Sequence, residues 1–86
     1  MSLEQKLNKN INDLYSKAKW IRQNEYFASI GDIPTKTNYV NEILNYETIR
    51  KDTIVLLELY FKEERTPYNL EYRRIYRKLK TNVSAD

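Results

Sequence analysis

The chain has no cysteine and no histidine, a single glycine, and two prolines in 86 residues. Each absence excludes a chemistry. Without cysteine there is no disulfide and no thiol nucleophile; without histidine there is no Ser-His-Asp triad and no switch titrating near neutral pH; without either there is no zinc finger. One glycine, Gly31, cannot build a G-x-G-x-x-G turn or a phosphate-cradling loop. Long apolar runs are missing as well. The longest, Ile54 to Phe61, is eight residues interrupted by Glu58, against the roughly 20 that cross a bilayer. With no signal-peptide pattern either, the expectation is a cytoplasmic protein without a membrane span. Asn82-Val-Ser84 matches a glycosylation acceptor, and without a secretory signal it is read as a chance match.

Aromatic residues, by contrast, are plentiful: eight Tyr, two Phe and one Trp. Disordered chains are poor in such side chains and rich in Pro and Gly, so this composition specifies a folded chain, read as a single all-helical domain over residues 1–86. A domain of this length buries only about 60–65% of its unfolded surface, which leaves apolar area for a partner or a second copy.

Helical periodicity dominates. Leu7, Leu14, Ile21 and Ala28 recur every seven residues, with Ile11 and Ala18 interleaved, the 3–4 stripe of a coiled-coil seam. Ser2 and Gln5 form a capping-box pattern at its start, and Asp13 and Lys17 stand four apart, a spacing worth ~0.3 kcal/mol. Gly31 is expected to stop this first helix in a left-handed C-cap, and Pro34 to keep it from resuming. A second helix is expected from about residue 37 to 65, with Val40, Ile43, Leu44, Ile54, Leu57 and Phe61 on one face. Glu47–Lys51 and Glu58–Lys62 are its four-spaced ion pairs. Glu47 and Arg50 interrupt its stripe: either the helix breaks between Asn45 and Asp52, or the two charges pair or reach water. No Gly or Pro intervenes, which favours continuity. Thr66-Pro67 is a helix start signal, Thr as N-cap and Pro in the first turn. A third helix is expected over about 67–80, with Tyr68, Tyr72, Ile75, Tyr76 and Leu79 on its apolar side and residues 81–86 as a frayed tail. The expected fold class is therefore all-α. A long antiparallel hairpin (about 2–30 and 37–65) and a shorter third helix make a three-helix bundle, with dimerisation an open option.

Charge is uneven along the chain. Residues 1–35 carry five bases and four acids, 36–65 five and six, and 66–86 five and two, so the last segment holds a net charge equal to the whole +3. Arg73, Arg74, Arg77, Lys78 and Lys80 make a basic helix that could neutralise phosphates, with Tyr68, Tyr72 and Tyr76 as stacking candidates; an ordinary amphipathic helix with a solvated basic face has the same pattern. A helix-turn-helix over 54–64 and 67–78 lacks a turn glycine. It also offers only Asn69 where base-reading side chains belong.

Tyr39, Tyr46 and Tyr60 lie at seven-residue multiples, with Thr53 filling the column, and Trp20 and Phe27 form a second seven-spaced pair. These five aromatics are the candidate protein interface, because Tyr and Trp combine apolar area with a hydrogen-bonding tip. Tyr39, Tyr46 and Tyr60 suit packing beneath the third helix equally well. Carboxylates Glu47, Asp52 and Glu58 spread around one helix rather than converging, so no acid/base pair or metal cluster is formed. The expectation is a non-enzymatic protein with no cofactor, metal or small-molecule substrate. It would be an adaptor, inhibitor, immunity or assembly factor binding a protein partner or itself as a homodimer. The second reading is a small nucleic-acid-binding regulator. The Asn, Lys, Ile and Tyr bias is that of AT-rich genomes, a style shared by many phage and plasmid proteins.

Overall fold

The computed structural model describes residues 2–64 and 69–81, and in them the chain forms three helices and no strand. α1 (Leu3–Ile30), α2 (Ile33–Glu64) and α3 (Leu70–Thr81) make an all-α three-helix bundle in which a long hairpin carries one short helix. α1 starts as its sequence predicts. The Ser2 hydroxyl accepts from the Gln5 amide at 3.1 Å while the Gln5 side chain accepts from the Ser2 amide at 2.9 Å, so two of the four orphan donors of the first turn are satisfied.

The hairpin turn departs from expectation in two ways. Gly31 is not left-handed: its φ of −80° and ψ of 178° are extended backbone open to any residue. Space, not conformation, demands glycine there. A Cβ would lie 2.6 Å from the Phe27 carbonyl oxygen and 3.0 Å from the Thr35 side chain. Nor does Pro34 delay the next helix. α2 begins at Ile33 rather than 37, because a first-turn proline lacks only an amide that would have had no intrahelical partner. Asp32 caps it, accepting from the Thr35 amide at 3.1 Å. Hydrogen bonds from the Thr35 side chain and amide hold the Asp32 carboxyl below its ordinary pKa.

The core is built by Leu7, Ile11 and Leu14 from α1, Leu57 and Tyr60 from α2, and Tyr72, Ile75 and Leu79 from α3. On α2 the inward face is the expected one only in part: Leu57 is in the core, with Ile54 and Phe61 packed against it. Val40 and Leu44 are exposed, whereas Arg50, Thr53, Leu57 and Tyr60 are buried. Of the Tyr column, Tyr60 and the gap residue Thr53 are buried and Tyr46 packs against the core, and Thr53 fits because its hydroxyl bonds the Ile49 carbonyl at 2.6 Å. α3 lies against this face: Tyr72 meets the Tyr60 ring edge-on at 4.9 Å and donates its hydroxyl to Asn8 at 2.7 Å. Burial, with Glu4 and Tyr60 nearby, raises the Tyr72 pKa. α3 starts at Leu70 with Asn69 as its cap, the Asn69 side chain accepting from the Tyr72 amide at 3.0 Å. The expected start at Thr66-Pro67 lies outside the described residues, as do Arg65, Tyr68 and residues 82–86. Thr81, expected in the tail, is the last helical residue and bonds back to the Arg77 and Lys78 carbonyls.

α2 runs unbroken through Glu47–Asp52 because its two interrupting charges are used. Arg50 is 5% exposed. Its Nε and Nη2 donate to the two Glu47 oxygens at 3.0 Å each, and its Nη1 donates to the Leu79 carbonyl at 2.9 Å. That carbonyl belongs to the last turn of α3, where helix oxygens lack an intrahelical donor and the dipole favours a cation. Other partners, two of them on another helix, also replace the expected four-spaced ion pairs. Lys17 bonds Glu42 across the hairpin at 2.9 Å rather than Asp13, Glu47 takes Arg50 rather than Lys51, and Glu58 accepts from the Tyr76 hydroxyl at 2.8 Å.

Arg50→Ala strands the Leu79 carbonyl and the Glu47 carboxylate, and should cost about 2–3 kcal/mol in urea unfolding; a loss under ~0.5 kcal/mol would mean that the fork does not hold α3. The Arg50 hydrogen bond holds the Glu47 carboxyl below the usual carboxylate range. Its contribution is therefore complete above that range and is lost as pH falls through the folded-state pKa, an acid sensitivity that Glu47→Gln should diminish. Gly31→Ala should lower stability by about 1–3 kcal/mol through the carbonyl clash, read as a lower melting temperature.

Candidate interaction surface

α3 is antiparallel to the second half of α2, with Tyr72 level with Tyr60 and Leu79 level with Arg50. It stops there. The half of the hairpin nearer the turn, residues 15–30 of α1 and 33–46 of α2, meets α3 only at its border, where Tyr15, Ala18, Arg22 and Tyr46 face the last turn, and of these residues only Ala28 is buried. Two helices side by side cannot enclose a core: Ile21, Tyr39, Ile43 and Tyr46 are half-buried, and the other large apolar side chains stay in water. Tyr15, Trp20, Tyr26, Phe27 and Ile30 on α1 and Ile33, Val40 and Leu44 on α2 are all exposed. Only Val55, Leu59 and Leu70 join them among exposed large hydrophobics of the rest of the described chain. Phe27 is 57% and Ile33 79% exposed, values that a finished core would not leave.

The five aromatics expected to form an interface are divided by this arrangement. Trp20, Phe27 and Tyr39 belong to the uncovered half; Trp20 stacks at a tilt on Tyr39, ring centres 6.5 Å apart, and Phe27 meets Tyr26 edge-on at 5.7 Å. Tyr46 is half-buried and packs against the core cluster. Tyr60 is buried under α3 against Tyr72, which takes its ring off the surface. Sequence reasoning missed Tyr15, Tyr26, Ile30 and Ile33, and placed Val40 and Leu44 on the same face as Leu57. The signal was available in the two isoleucines flanking the Gly31-Asp32 turn, where a two-helix end has nothing to bury them. Beside Trp20 the hairpin groove is polar, with Asn38, Asn41 and Asn45 from α2 and the Lys17–Glu42 pair across it.

The basic residues of α3 stand opposite its buried Tyr72, Ile75 and Leu79, and Arg73, Arg74, Arg77, Lys78 and Lys80 are all exposed. Neither salt bridge among the described residues involves them. Arg73 leans over the Phe61 ring at 5.9 Å and Lys80 over Tyr76 at 5.5 Å, so two of the five spend part of their charge on cation–π contacts. Of the stacking candidates, the two described tyrosines are not free to stack on bases. Tyr72 is buried and bonded to Asn8, Tyr76 is half-buried and bonded to Glu58, and Tyr68 is outside the described residues. No helix of the described residues is long and apolar enough to cross a membrane. Comparison with known proteins finds no matching family, curated protein or solved structure.

Proposed function

We propose that this chain is a non-enzymatic interaction protein, an adaptor, inhibitor or assembly factor, that binds a protein partner or a second copy of itself through the uncovered half of its hairpin. One observation supports this reading above all: residues 15–46 bury a single side chain while exposing eight large apolar ones. Helices of this kind draw their stability from tertiary packing rather than from propensity, and apolar area exposed on this scale is a usual mark of a contact surface. At their exposures these side chains offer on the order of 800 Å², one partner's share of a standard interface. Trp20, Phe27 and Tyr39 are the anchors, since aromatic side chains carry most of the energy at such surfaces.

A photo-crosslinking amino acid placed at Trp20, Phe27 or Tyr39 should trap a discrete protein species in the cells the chain comes from, or a doubled mass of the chain itself. The same probe at Val55 or Leu59, also exposed but in the half of α2 that carries α3, should trap little. Equal trapping at both sets, or none at either, would sink the reading.

The exposed cations of α3 support a second reading, contact with a nucleic-acid backbone. It predicts binding to generic duplex DNA or single-stranded RNA that weakens steeply with salt. Arg74→Glu with Arg77→Glu should abolish that binding without lowering the melting temperature, as measured by fluorescence anisotropy and thermal unfolding. Salt-independent binding, or unchanged binding by the double variant, would remove α3 as the contact.

A further inference from the structure

The place where α3 ends leaves more than an uncovered hairpin. Of the cavities among the described residues, one is walled by all three helices, with a volume of about 190 Å³. Ile11, Leu14 and Ala18 of α1 and Ile75 and Leu79 of α3 give it apolar walls, and Tyr46 of α2 closes the third side. The room follows from the sequence: position 18 lies on the seam with Ile11 and Leu14 but is alanine, and α3 does not extend far enough to fill the gap. A dry apolar cavity of ~150 Å³ already accommodates a benzene-sized guest.

The mouth is cationic. Arg22, one turn beyond Ala18, and Lys78, beside Leu79, both line it and both are exposed. Neither takes part in the salt bridges of the described residues, and none of the lining residues is acidic. Tyr15 stands at the same opening with a hydroxyl able to donate. Two unpaired positive charges above an apolar hole the size of one ring describe the complement of an amphiphilic anion.

We propose that this cavity is a binding site for a small amphiphilic monoanion, a carboxylate joined to one ring-sized apolar group. The ring sits among Ile11, Ala18, Ile75 and Leu79, and the carboxylate meets Arg22 and Lys78 at the mouth. Apolar burial supplies the affinity, while the two cations select acids over neutral molecules of the same shape. The site shares Tyr15 with the hairpin surface but none of its anchors Trp20, Phe27 and Tyr39, so variants at Ala18, Arg22 and Lys78 test this proposal without altering those anchors.

Titration of the ¹⁵N-labelled full chain with 3-phenylpropionate, followed by amide chemical shifts, tests it. Saturable shifts are expected around Ala18, Arg22, Ile75 and Leu79, with 3-phenylpropan-1-ol binding at least ~10-fold more weakly. Arg22→Gln with Lys78→Gln should reduce the acid to the alcohol's affinity at unchanged melting temperature, since both side chains are exposed. Ala18→Leu should fill the cavity and abolish binding of both probes. The proposal is overturned if shifts scatter away from the cavity or fail to saturate, if acid and alcohol bind alike, or if a folded Ala18→Leu variant binds as the parent does. Should Ala18→Leu unfold the chain, the double charge variant decides alone: unchanged affinity for the acid overturns it.

Discussion

A buried guanidinium organises this bundle. Arg50 could not sit in the core as a bare charge; burying one without partners costs several kcal/mol. Glu47, one turn earlier, presents two oxygens that match two edges of the guanidinium fork. The remaining donor goes to the Leu79 carbonyl. α3, at 12 residues, is at the short limit for a helix standing alone in water, so it exists because it is docked. Tyr72 holds one end through Tyr60 and Asn8, and Arg50 holds the other. The positions of these two anchors on the hairpin set where α3 lies and where it stops.

Everything of functional interest follows from that stopping point. Below it three helices share a core; above it two helices carry exposed Trp, Phe, Tyr, Ile, Leu and Val side chains with only Ala28 buried. At the boundary the last turn of α3 leaves a cavity with Arg22 and Lys78 at its mouth. The basic outer face of α3 also has a structural role. Lys78 and Lys80 occupy the last turn, where cations are favoured by the helix dipole, and Arg73 and Lys80 cover aromatic rings.

Much of the scaffold was legible in the residue order. The capping box at Ser2, the seven-residue stripe through Leu7 and Leu14, the turn at Gly31 and the amphipathic third helix are local patterns, and local patterns act over a few residues. The failures have a common origin. Val40 and Leu44 were grouped with Leu57 on one face because apolar type alone was counted, whereas the buried positions of α2 are Arg50, Thr53, Leu57 and Tyr60. Ion pairs four residues apart gave way to Lys17–Glu42 and to Tyr76–Glu58, because a partner on another helix was in reach. Of the aromatic candidates, Trp20 and Phe27 did reach the surface. Tyr60 could not be separated from them by type or spacing, since burial depends on which helix lies above.

By itself, then, the sequence determined the fold class, the number of helices, the hairpin and the polarity of each end, because periodicity, caps and the excluded chemistries are written residue by residue. Only the tertiary structure decided that Arg50 is a clamp rather than a break and that Tyr60 is core while Tyr39 of the same column lies in the uncovered half. It alone left half the hairpin and the notch above α3 open. Those outcomes depend on where a 12-residue helix comes to rest on a 32-residue one, a relation between residues far apart in the chain that no local pattern encodes.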